Sequence, residues 1–159
     1  MEWVPLLRWL HVLGACVLLG TGAGIAFFMV MAHRSGDAKV IAHTAHIVVI
    51  ADFLFTASAV ILQPVTGVLL AMLIGWRLTE GWLLLSIILY FVTGAFWLPV
   101  VWIQHRMKKL AKAAAQADSV LPPDYFRLYR IWFACGFPAF FSVLGIVWLM
   151  TNRPALDLW

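Results

Sequence analysis

Four apolar runs, each as long as a membrane-crossing helix, leave this chain almost no choice of solvent. They cover roughly residues 3–31, 40–74, 81–103 and 125–150, and crossing the hydrocarbon core takes about 20 mostly apolar residues as a helix. The connections between them are short, so no second, soluble domain fits. With 64% hydrophobic and 11% charged residues in a total of 159, the composition lies far from that of soluble domains. Backbone polar groups cannot be left unpaired in lipid, and no short alternating segments mark a barrel, so the runs are helices. The sequence predicts an all-α polytopic membrane protein, one domain over residues 1–159, folded as a four-transmembrane-helix bundle.

Turn chemistry punctuates the runs. Ser35-Gly36-Asp37 separates the first two, Gly75 closes the second, and Leu121-Pro122-Pro123-Asp124 precedes the fourth. The first run is too long for a signal-peptide core and no clean cleavage site follows it, so it is expected to stay as a span. The segment RMKKLAKAAAQADS, residues 106–119, favours helix and extends the third span beyond the membrane. Pro64, Pro99 and Pro138 each fall inside a span and free a carbonyl there. Arg34, Lys39, Arg106, Lys108, Lys109, Lys112, Arg127 and Arg130 flank one side of the bundle, against Arg8, Arg77 and Arg153 on the other. The positive-inside rule then puts both termini outside. Topology and anionic headgroups account for the basic excess, so the lipid bilayer is the expected partner and nucleic acid is not. Cys16 and Cys135 lie at mid-span, where an apolar medium makes thiols inert.

Polar residues inside the spans carry the functional signal. At about 100° per residue, Asp52, Thr56, Gln63 and Thr66 fall on one face of the second span. Ser86, Tyr90, Thr93, Trp97 and Gln104 repeat on the third and form the expected facing wall. A charged Asp near the bilayer centre costs about 3 kcal/mol, so Asp52 is either protonated or hydrogen-bonded by a neighbour such as Thr56 or Trp97. It serves as interhelical glue, as a ligand-positioning group or in proton handling.

The histidines divide by depth. His33, His43, His46 and His105 sit at the basic end. A metal site using His46 with His33 or His105 competes there with plain interfacial histidines. His11 lies deeper, on a face that continues through Ala15, Leu18 and Gly22, and needs an internal partner. Gln63, at comparable depth, is one candidate. Haem iron is the other, in a slot thinned by Gly20, Gly22 and Gly24, although Gly20-xxx-Gly24 also reads as close helix packing. No second histidine shares this depth. A haem here is therefore five-coordinate or takes another residue type as sixth ligand.

Several local strings carry a resemblance. LHVLG around His11, the Asp52 segment with QPVTG at residues 63–67, WLPVV at 97–101 running on to Gln104, GFPAF at 136–140 and WLM at 148–150 resemble the DUF2269 family of bacterial integral membrane proteins, over nearly the whole chain. A first helix with His11 near its start and His33 at its far end is also similar, in architecture, to the HemJ type of protoporphyrinogen oxidase and to CopD-like copper proteins. That similarity implies a haem b environment with His11 as ligand. The function expected is a haem-b-binding membrane protein in electron transfer, haem handling or porphyrin oxidation, with Gly22, Asp52, Gln63 and Tyr90 around the cofactor and a homo-oligomer or membrane redox partner. The alternative is a non-enzymatic membrane subunit or small-solute/ion binding protein with an interior Asp52/Gln63 site.

Overall fold

Asp37 starts the second rod as its N-cap, accepting hydrogen bonds from the Lys39 N–H at 2.7 Å and the Val40 N–H at 3.4 Å, a cap worth about 1 kcal/mol. Gly36 beside it and Gly75 at the rod's other end both take positive φ, +68° and +85°, which only glycine adopts without strain. In the computed structural model, which describes residues 3–156, the helices are α1 (Trp3–Ser35), α2 (Ala38–Ala51), α3 (Ala57–Ile74), α4 (Gly81–Gln116) and α5 (Pro123–Asn152). A π-helical turn, Asp52–Thr56, joins α2 to α3. The rod is thus continuous from Ala38 to Ile74, and four rods are long and apolar enough to cross a membrane. α4 runs unbroken to Gln116; its 36 residues span about 54 Å at 1.5 Å per residue, well beyond a hydrocarbon core of about 30 Å.

The rods stand side by side in chain order: α1 against α2 and α3, α2 against α4, α4 against α5, with α5 closing back on α1. At the basic end a single core runs through Ile25, Met29 and Ala32 of α1, Ile41, Ala45 and Val48 of α2, Val100, Ile103, Met107, Ala111 and Ala114 of α4, and Tyr125 and Trp132 of α5. Lipid supplies little hydrophobic drive between helices, so association rests on close packing, which the alanines permit. A smaller cluster of Ala71, Trp82, Leu83 and Leu149 closes the far end. Large apolar side chains such as Phe53, 80% exposed, and Phe27 and Phe28 point away from the bundle, as a lipid-facing surface requires.

The π turn changes what the second rod presents. An α-helix advances 100° per residue, and one extra residue in a turn rotates everything after it by about 100°. Asp52 is buried on the side of α4, whereas Gln63 and Thr66 look toward α1. The single polar face expected from an unbroken 3.6-residue period is therefore two faces, serving two different neighbours.

Candidate functional site

The first polar site joins α1 to α3. His11 Nδ1 lies 2.8 Å from Thr66 Oγ1. The Thr66 hydroxyl has one proton, and its oxygen sits 2.7 Å from the Leu62 carbonyl one turn back. With that proton on the carbonyl, the imidazole supplies the proton of the 2.8 Å contact, which assigns His11 as the Nδ1–H tautomer and leaves a lone pair on Nε2. Gln63 is the neighbour expected from depth, but its partner is different: the amide donates to the His11 backbone carbonyl at 2.8 Å, not to the ring. Two glycines make the room. A Cβ at Gly14 would stand 2.5 Å from Gln63 Nε2, and one at Gly67 would stand 3.2 Å from His11 Cε1. Gly20 and Gly22, in contrast, face open space with nothing within 4 Å. Gly22 lies 11 residues, about 16 Å, along the axis from His11 and takes no part in this recess. The glycines that matter are the ones inside LHVLG and QPVTG; their places one turn from His11 and Gln63 were the available signal.

The second site ties the middle rod to α4 and α5. The Trp97 indole donates to Asp52 Oδ1 at 3.2 Å. With its amide turned to satisfy both neighbours, Gln104 donates to Asp52 Oδ2 at 3.2 Å and accepts from the Trp132 indole at 3.2 Å. Trp97 and Gln104 are seven residues apart on α4, two turns on one face. Asp52 is 5% exposed and Gln104 6%. Thr56, one turn after Asp52, is as deeply buried, and its hydroxyl has no hydrogen-bond partner. Of the expected facing wall, Trp97 and Gln104 meet Asp52; Ser86 and Thr93 bond back to their own helix, to the Trp82 and Leu89 carbonyls. Tyr90 donates to the Val60 carbonyl at 2.8 Å. That is the carbonyl left without a partner because Pro64, four residues on, has no N–H. Trp132 is the one member that the sequence did not single out.

The remaining histidines are dispersed. His33 stacks on Tyr129 with centroids 3.6 Å apart and lies 3.4 Å from the hydroxyl of the fully buried Tyr125. His43 and His46 are exposed, and His105 donates from Nδ1 to the Val101 carbonyl at 3.0 Å. Among the described residues no three His, Cys, Asp or Glu side chains gather closely enough to hold a metal ion. A cavity of about 570 Å³ opens at the basic end between His33, Lys39, Asp118, Val120 and Phe126. An ion pair, Lys39 to Asp118 at 2.8 Å, crosses that rim and joins the first turn of α2 to the loop after α4.

Structure thus brings His11, Gln63 and Thr66 together, and separately Asp52, Trp97, Gln104 and Trp132. No curated protein and no solved structure matches the chain. The model of the family described as predicted integral membrane protein (DUF2269) matches residues 5–154, and the chain belongs to that family.

Proposed function

We propose that the protein binds haem b in the membrane and serves electron transfer, haem handling or porphyrin oxidation, with His11 Nε2 as the nitrogen that would hold the iron. One observation carries the reading: the chain of hydrogen bonds from His11 Nδ1 to Thr66 Oγ1 to the Leu62 carbonyl. Histidines that ligate metals characteristically donate their second ring N–H to a fixed acceptor, which orients the ring and keeps the other nitrogen basic. Thr66 supplies that acceptor, so the donor chemistry fits haem iron, and bound haem would supply one-electron redox chemistry. Gln63 contributes by fixing the His11 backbone rather than by touching the ring.

We place the chain in the bacterial cytoplasmic membrane with both termini outside, on the basic asymmetry of its two ends. A redox partner or second copy in the membrane would complete an electron path. Protein purified from haem-replete cells should show a Soret band that His11→Ala abolishes and His43→Ala leaves intact. Thr66→Val should weaken haem retention by about 10–100-fold, the usual cost of losing such an orienting partner. A haem-free wild type, or a full Soret band in His11→Ala, defeats this reading.

A second reading is supported by the buried Asp52 network: a non-enzymatic membrane subunit or small-solute/ion binding protein with an interior polar site. In it Gln104, not Gln63, is the carboxamide paired with the carboxylate.

A further inference from the structure

Among the described residues Asp52 is the one buried acid, and none of their cationic side chains lies within ion-pair distance of it. The ion pair found among those residues is between Lys39 and Asp118, at the rim. The titratable side chains within the rods packed around Asp52 are His11, Cys16 and His33 on α1, His43 and His46 on its own rod, Tyr90 and His105 on α4, and Tyr125, Tyr129 and Cys135 on α5. None of them hydrogen-bonds to Asp52. His105, next in sequence to Gln104, is exposed and bonds back to the Val101 carbonyl of its own helix. The charged residues Arg8 and Arg34 of α1, Lys39 of α2, Arg106, Lys108, Lys109 and Lys112 of α4, and Asp124, Arg127 and Arg130 of α5 lie toward the rod ends.

The donors that do reach Asp52 are neutral. Trp132 holds the Gln104 carbonyl, so the Gln104 amide N–H must point at Oδ2, while Trp97 occupies Oδ1. Each carboxylate oxygen is left with one free lone pair. Thr56 is the nearby group with no partner of its own, and a hydroxyl both donates and accepts. It can donate to an ionised Asp52 and accept from a protonated one, whereas the indole and the locked amide serve only as donors.

A buried charge without a partner is neutralised by whatever ion the site can admit. The void beside the network, between Met29, Ala45, Val48, Gln104, Met107 and Trp132, measures about 10 Å³ and has an apolar lining. That is at the lower limit for one water and excludes a hydrated metal cation. We propose that Asp52 is a proton-binding site within the membrane and that the Thr56 hydroxyl, which has no partner as the structure stands, is the acceptor for the proton that Asp52 gains. The balance is simple: Asp52 carboxylate and one proton from water give the carboxylic acid, and no other group changes its bonds. Loading removes the negative charge that Trp97 and Gln104 point at. The tie from the middle rod to α4, and through Trp132 to α5, loosens with it. The inference rests on the second reading and names its ion.

Infrared difference spectra of the full chain in lipid vesicles, taken between alkaline and acidic pH, test this. The expected result is a carboxylic-acid C=O band that appears on acidification, shifts in D₂O and is lost in Asp52→Asn. Thr56→Val should keep the band and move its frequency, because the acid proton loses its acceptor; this variant stays informative if Asp52→Asn does not insert. Wild type and Asp52→Asn giving the same difference spectrum would overturn the proposal, and an unmoved band in Thr56→Val would remove Thr56 from it. If the Asp52 signal responds at fixed pH when sodium replaces a bulky organic cation and does not respond to acidification, the proton is the wrong ion while the interior-ion reading stands. If neither pH nor cation changes any Asp52 signal, that reading falls as well.

Discussion

Gly14 is buried because the Gln63 amide lies where its Cβ would be, 2.5 Å away. Gly14→Ala should therefore push Gln63 off the His11 carbonyl and destabilise the protein by about 1–3 kcal/mol, the usual range for overpacking. Thermal unfolding in detergent measures it. The Gln63→Ala background separates this account from a general intolerance of α1, since with the amide gone the added methyl has room and the penalty should largely vanish. Equal losses in both backgrounds would show that the Gly14 contact is not what limits the site. Trp132 obeys a different rule. Removing its N–H in Trp132→Phe leaves the buried Gln104 carbonyl unpaired at a cost of about 1–3 kcal/mol, and it frees the amide to turn over. If Trp132→Phe unfolds like wild type, the indole does not hold Gln104.

At the scale of elements, Pro64 and Tyr90 act as one unit across two helices. Proline removes the N–H that would bond Val60, and the Tyr90 hydroxyl supplies the missing donor at 2.8 Å. Tyr90→Phe should cost about 0.6–1.7 kcal/mol, the range measured for hydrogen bonds between membrane helices. In a Pro64→Ala background, where the helix regains its own N–H, the same change should cost less. A double-mutant cycle by unfolding gives the coupling, and additive losses would refute it. The four rods were legible in the sequence because run length alone decides them, and the Asp37 cap and Gly75 stop were legible from turn chemistry. The facing of the second rod was not. Periodicity assumes a constant turn, and nothing in DFLFT marks the π turn that swings Gln63 and Thr66 away from Asp52. Depth correctly brought Gln63 near His11 but could not decide between ring and backbone, because that choice depends on the missing Cβ of Gly14. Trp132 escaped notice because a tryptophan in a span reads as packing or interfacial belt until a buried carbonyl is seen in front of its N–H.

Across the whole molecule, the two polar sites face different neighbours of one rod, and the strings that carry the family resemblance meet in pairs: LHVLG against QPVTG, and the Asp52 segment against Trp97 and Gln104. Both sites depend on the rod keeping its rotation, which the basic end secures through the α1–α2–α4–α5 core and the Lys39–Asp118 pair. That pair is widely exposed, so it contributes at most about 1 kcal/mol, and the core does most of the holding. The proposed orientation also rests on the basic end. Arg34, Lys39, Arg106, Lys108, Lys109, Lys112, Arg127 and Arg130 cluster there, against Arg8, Arg77 and Arg153 at the other end. Short connections make this asymmetry effective, because flanking charges govern insertion when loops are short. Four rods return the chain to the side on which it starts. A periplasm-active reporter fused after Trp159 should therefore be active, and a cytoplasm-active reporter at the same place silent. Removing the charges of Lys108, Lys109 and Lys112 leaves the basic end still ahead, five to three, so orientation should survive. Substituting Arg34, Lys39, Arg127 and Arg130 as well leaves Arg106 alone against three and should produce mixed orientations. A C-terminal reporter active only in the cytoplasm in the wild-type chain would show that the basic end does not face inward.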